Sequence, residues 1–166
     1  AMDSAVKHGR ALHIMGLVSD GLVHSSQEHA YALLQMAKDR EVQRVFVHCF
    51  LDGRDTPPAS AIKYVAALQT TMSEIGCGRI ATLCGRYYAM DRDKRWERIR
   101  RAYELLVNAE GERVVDPHAA IRSSYDRGLS DEFIEPIVLV DEAQQPVAKI
   151  EEGDAVIFFN FRPDRT

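Results

Sequence analysis

A chain of 166 residues that is 46% hydrophobic and 28% charged has the composition of one compact domain with its own core, which excludes a disordered segment. Its formal net charge of -4 argues against a nucleic-acid binder, because phosphate backbones are held mainly by a surplus of Lys and Arg. No run reaches the ~18 apolar residues of a membrane span and no charged-then-apolar leader opens the chain, so no membrane partner is expected, and the protein is read as intracellular or as one whose leader has been removed.

The first residues read as a helix already under way. The apolar run at 11–18, "ALHIMGLV", then predicts a buried strand. Ser25 and Glu28 have capping-box spacing, and Ala30, Leu33, Leu34 and Ala37 recur at helical intervals behind them. A second strand is predicted at 42–51, "VQRVFVHCFL", after which Thr56 before Pro57 marks a helix start. The helix that follows carries a stripe of Ala61, Val65, Leu68, Met72 and Ile75. A third strand, "RIATLC" at 79–84, precedes a helix over about 92–108 with Trp96, Ile99, Tyr103 and Leu106 inward. Asp116 before Pro117 opens a short helix to Tyr125, "PIVLV" at 136–140 is a strand, "DEAQQP" is a hairpin-like turn, and "DAVIFFNF" at 154–161 is the last strand. Strands alternating with helices imply right-handed crossovers, hence a three-layer α/β/α domain with a mainly parallel sheet, 1–166 as a single domain.

In open parallel sheets ligands bind beyond the carboxyl ends of the strands. The first strand is followed by Ser19, Asp20, Gly21 and His24; the second by Asp52, Gly53, Arg54 and Asp55; the third by Arg86, Asp91 and Arg92; the last by Arg162, Asp164 and Arg165. Five arginines and a histidine on one edge of an acidic protein would form a local anion site, with guanidinium forks suited to phosphate or carboxylate. The alternative is that these are solvated turn residues, Arg54 pairing with Asp55 and Arg162 with Asp164; four coincident strand ends weigh against it.

Other chemistries are poorly supported. Cys49, Cys77 and Cys84 lack CxxC spacing and read as buried, reduced thiols, which favours the cytosol. His13 and His48 lie inside strands and read as core residues, and His24 and His29 lack the spacing of a helical metal pair. No metal and no cofactor are expected in this chain. There is no dinucleotide fingerprint, Walker loop or GxSxG elbow, and Ser19, Ser25 and Ser26 read as turn and cap residues.

Taken together, "HIMGLVSDGLVHS", "FLDGRDTPP", "GRYYAMDRDKRW" and "FFNFRPDR" resemble the 2,3-bisphosphoglycerate-independent phosphoglycerate mutases, in the family's order and over essentially the whole chain. The resemblance implies a two-domain glycolytic isomerase of the alkaline-phosphatase superfamily, interconverting 3-phosphoglycerate and 2-phosphoglycerate through a phosphoserine. One domain would carry the serine and two divalent metals, usually manganese; the other, inserted into it, would be the phosphotransferase domain that holds the glycerate. This chain looks like the inserted domain alone, so its missing partner is the metal-binding domain of the same polypeptide, and by itself it is expected to be inactive. The family's substrate contacts fall on His24, Arg54, Asp55, Arg86, Arg92, Arg162 and Arg165, with Asp55 as the catalytic acid/base. Leu22 and Ser26 depart from the family's usual SDGGVHSH, which puts the shape of that loop in question. The rival expectations are a stand-alone binding module for small phosphorylated carboxylic acids, and a structural domain whose arginines only make ion pairs.

Overall fold

The computed structural model describes all 166 residues. The elements are α1 (Met2–His8), β1 (Leu12–Leu17), α2 (Gln27–Asp39), β2 (Val45–Leu51), α3 (Ala61–Ile75) and β3 (Arg79–Gly85), followed by α4 (Arg86–Ala89) and α5 (Trp96–Asn108). The chain continues through β4 (Glu112–Val114), α6 (Pro117–Asp126), β5 (Ile137–Leu139) and β6 (Ala155–Phe158), with 3-10 turns at Asp131–Phe133 and Pro163–Arg165. One sheet forms in the order β4-β5-β3-β2-β1-β6. Every adjacent pair is parallel except β3 with β5. The predicted three-layer α/β domain with a mainly parallel sheet is what is found.

Strands buried on both faces need apolar residues at successive positions, and β1 is buried throughout. Leu12, Ile14, Val47, Cys49 and Leu51 share a core with the stripes of α2 (Ala30, Leu34, Ala37) and α3 (Val65, Leu68, Met72). On the opposite face Cys84 and Val138 pack with Leu105 of α5, while Met15, Leu17 and Phe50 meet Met90. Cys49 and Cys84 are buried thiols, as expected; Cys77 is only half-buried.

That second face also carries a buried polar chain. Asp154 faces His13 Nε2 at 3.1 Å, His13 Nδ1 faces His48 Nε2 at 2.9 Å, and His48 Nδ1 faces Thr82 Oγ1 at 2.9 Å. A carboxylate only accepts, so with both imidazoles neutral every donor is assigned: Thr82 O–H to His48, His48 Nε2–H to His13, His13 Nε2–H to Asp154. A register shift helps to align it, since Val47 pairs with Ile80 but His48 with Thr82. The histidines are core residues, as their position in strands predicted, and each is satisfied.

Several local expectations fail for identifiable reasons. Ser25 donates to the Leu17 carbonyl and does not cap α2, whose N-cap is Ser26. Thr56 and Pro57 lie in a turn; α3 starts at Ala61, where the distant Asp131 carboxylate accepts from the Ser60 and Ala61 N–H groups. Asp116 does cap α6, accepting from His118 N–H with Pro117 at the first position. Trp96 and Tyr103 point outward, 68% and 58% exposed. The buried arc of α5 holds Ala102 and Leu105, and Tyr103 is ~100° round the helix from Ala102. The hairpin-like turn after β5 is present, closed by a Val140–Pro146 bridge, whereas three-residue β4 at the sheet edge had no predicted counterpart.

Candidate anion site at the carboxyl edge of the sheet

The four neighbouring strands β3, β2, β1 and β6 run the same way, so their carboxyl ends deliver the loops after Gly85, Leu51, Leu17 and Phe158 to one edge. Because β5 runs against β3, with Leu83 opposite Ile137, the segment before β5 arrives at the same edge. That segment is Asp131–Phe133, and nothing in the strand-end reasoning anticipated it.

Arg86 is the centre. Its side chain is 3% exposed, and Nη1 donates to Asp52 at 2.7 Å and to Asp55 at 2.6 Å. Asp52, 2% exposed, also accepts from Ser19 Oγ at 2.7 Å and from the N–H groups of Arg54 and Asp55. Burial opposes charge on Asp52, but these donors outweigh it and its pKa is lowered. Burial likewise opposes the charge on Arg86, and the two carboxylates more than offset it, raising its pKa. His24 Nε2 lies 4.0 Å from Asp55. Burial, then the positive Arg86 and Arg162, lower the pKa of His24, which favours the neutral ring.

The remaining arginines are held more loosely. Arg54 faces Glu132 at 3.4 Å, Arg92 faces Asp164 at 3.3 Å, and Arg162 makes two 2.9 Å bonds to Asp164. Exposed pairs of this kind are weak, because water and salt screen them and two long side chains must be held in one geometry. Arg165 has no carboxylate partner; its Nη1 donates to the Met90 carbonyl at 2.6 Å. Burial and then repulsion from Arg92, Arg86 and Arg54 lower its pKa, as expected where cations crowd without enough counter-charge. Arg54, Arg86 and Arg165 line one open depression of about 160 Å³.

All seven sequence-predicted residues therefore lie on one edge. Arg86, Asp55 and His24 cluster directly, while Arg54, Arg92, Arg162 and Arg165 flank them. Of the two ion pairs that the turn-residue alternative invoked, Arg162–Asp164 exists, whereas Arg54 pairs with Glu132 and not with Asp55. Leu22 adopts φ +57, the left-handed region that glycine favours. Sequence reasoning named Asp52 only as a strand-end residue and missed Glu132. For Asp52 the signal was present: an aspartate followed by glycine commonly accepts backbone N–H groups two and three residues on.

Three buried side-chain polar atoms in the whole chain lack a hydrogen-bond partner: His24 Nδ1, Arg86 Nε and Arg165 Nε. All three belong to this site. Two larger grooves, of about 650 and 670 Å³, open around Gly76–Arg79 at the opposite edge and contain none of them. No three His, Cys, Asp or Glu side chains group as a metal shell would require, and Asp52 and Asp55 both face Arg86, a cation. These residues fit an anion and do not fit a divalent metal.

Fold and charge arrangement define a three-layer α/β domain with an arginine-rich strand-end site. Residues 1–166 match the family described as BPG-independent PGAM N-terminus, and the chain belongs to that family. It is 54% identical over 165 residues to a protein of Moorella thermoacetica and 55% identical to one of Myxococcus xanthus, both named 2,3-bisphosphoglycerate-independent phosphoglycerate mutase. Each comparison covers 99% of this chain and 32% of the relative, so the chain spans about a third of the length of the curated relatives it matches. The fold is similar to a Leishmania mexicana phosphoglycerate mutase crystallised at low cobalt concentration, with a TM-score of 0.93 and 32% identity over 99% of this chain and 31% of that one. In all of this no helix is long and apolar enough to cross a membrane.

Proposed function

We propose that this chain is the substrate-holding, phosphotransferase part of a cytoplasmic, cofactor-independent phosphoglycerate mutase, an isomerase interconverting 3-phosphoglycerate and 2-phosphoglycerate in glycolysis. The observation that carries the reading is the placement of every unpartnered buried polar side-chain atom, His24 Nδ1, Arg86 Nε and Arg165 Nε, within one arginine cluster. Buried polar atoms left without partners cost free energy, and carboxylate or phosphate oxygens of a ligand would supply acceptors for the Arg86 and Arg165 Nε–H donors.

Isomerisation requires the glycerate to stay bound while its phosphoryl group is lodged elsewhere, then to present its other hydroxyl. Arg86 is fixed and Arg54, Arg92 and Arg162 are held by weak pairs, so this edge can hold an acid while allowing it to reorient. In this reading Asp55, beside Arg86, moves the proton: it gives one to the oxygen the phosphoryl group leaves and takes one from the hydroxyl that receives it. The phosphoryl chemistry, with its serine and divalent metals, manganese by the family resemblance, belongs in this reading to the other two thirds of the polypeptide.

The test is Asp55→Asn in the full-length polypeptide. Asparagine keeps the size of the side chain but cannot take the proton, so isomerisation falls ~10²- to 10⁴-fold while phosphoglycerate binding survives and hydrolysis to free phosphate changes less. An unchanged ratio of isomer to free phosphate at near-normal turnover would remove Asp55 from the mechanism and favour a binding module without catalysis.

A further inference from the structure

We infer that Asp131 is a positioning residue for the anion site: its buried carboxylate ties the Asp131–Phe133 turn to the start of α3 and so fixes the loops that carry Arg54, Asp55 and Arg86. Asp131 is 1% exposed. Its Oδ2 accepts from Ser60 N–H at 2.8 Å and Ala61 N–H at 2.9 Å, and its Oδ1 accepts from the Tyr125 hydroxyl. The Asp131 N–H donates to the Pro58 carbonyl at 2.8 Å, so main chain and side chain both grip the stretch between Asp55 and α3.

The turn held this way is wedged between the two arginine loops. A Cβ on Gly53, the residue before Arg54, would lie 2.9 Å from Glu132 N and 3.0 Å from Asp131 Cβ. A Cβ on Gly85, the residue before Arg86, would lie 2.2 Å from the Glu132 carbonyl oxygen. The Gly85 N–H donates to the Ile134 carbonyl at 2.8 Å, and Glu132 itself reaches Arg54. Both loops therefore lean on one short turn from a remote part of the chain, and the turn leans on Asp131. A helix cap alone would need neither contact.

This inference rests on the proposed anion site, and the experiment separates the two. Asp131→Ala, Asp131→Asn and Asp116→Ala are compared with the unmodified protein, the last removing an ordinary helix cap from α6, remote from the site. In ligand-free protein, the amide resonances of Gly53–Asp55 and Gly85–Arg86 are expected to shift or broaden in Asp131→Ala and to stay in place in Asp116→Ala. Affinity for 3-phosphoglycerate, measured well below each unfolding transition, is expected to fall at least tenfold in Asp131→Ala. It should recover most of the way in Asp131→Asn, whose amide oxygen still accepts from Ser60 and Ala61, and be unchanged in Asp116→Ala. A purely structural role predicts lower thermal stability with site resonances and affinity intact, and that result would overturn the inference. If the unmodified protein binds no phosphoglycerate, the proposed function falls, while the ligand-free resonances still decide whether Asp131 positions these loops.

Discussion

Arg86 and Arg54 sit within the same cluster and carry the same charge, yet removing them should have different consequences. Arg86 and Asp52 are 3% and 2% exposed, and deleting one partner of a buried pair strands the other charge. Arg86→Met should lower the unfolding free energy by about 3 kcal/mol as well as abolish phosphoglycerate binding. Arg54 is 54% exposed and its pair with Glu132 is long, so Arg54→Ala should cost less than about 1 kcal/mol of stability while still weakening binding. Urea denaturation and calorimetric titration of both variants check the contrast; equal losses of stability would contradict it. The seven candidate residues were legible in the sequence because strand ends in a parallel sheet are predictable and arginine is conspicuous there. Their carboxylate partners were less so: Glu132 is 78 residues from Arg54, and only the fold brings them together.

Long strands and amphipathic helices announced themselves by periodicity, and the ends of those elements did so only where the cap was local. Asp116 caps a helix two residues away and was readable; Asp131 caps α3 from 70 residues downstream and was not. In α5 the largest apolar residues suggested the inward face, whereas small Ala102 lets the helix approach the sheet and leaves Trp96 in solvent. The close approach of the Asp131–Phe133 turn to the end of β3 gives an element-level prediction. Gly85 has φ -62, which any residue can adopt, so glycine is needed there for space and not for backbone freedom. Gly85→Ala should destabilise by about 3 kcal/mol, because the obstruction is a backbone carbonyl that cannot rotate away. Gly128→Ala is the control: at φ +81 with no neighbour within 4 Å, it should cost only ~1 kcal/mol of left-handed strain. Thermal melts that rank the two the other way would show that the turn yields more easily than its contacts imply.

For the whole molecule, buried histidines set how stability responds to acid. Burial and the neighbouring His13 push His48 down to about 3, and burial also lowers His13 and His24. Below their ordinary value of 6.5 the unfolded chain binds protons that the folded chain refuses, so stability is full above that pH and falls as pH drops through it. The limit is ~1.4 kcal/mol per pH unit for each excluded proton. Asp52 and Asp154, whose pKa values are lowered, add their loss only below the ordinary carboxylate value of 3.8. Denaturation between pH 7 and pH 5 should show this decline, and His48→Gln, which keeps a donor toward His13, should flatten it by about one proton; a pH-independent midpoint would contradict the buried chain.

The central claim is that this edge of the sheet is built for a small, multiply charged acid. It is tested most directly by titrating the isotope-labelled protein with 3-phosphoglycerate while following the Nε–H resonances of Arg86 and Arg165 and the ring of His24, at low and at physiological salt. The expected result is saturable movement of all three, with affinity falling as salt rises because the flanking arginines are exposed. If millimolar phosphoglycerate moves none of them, the three unpartnered atoms do not mark a ligand site, and the arginines only pair with the carboxylates beside them.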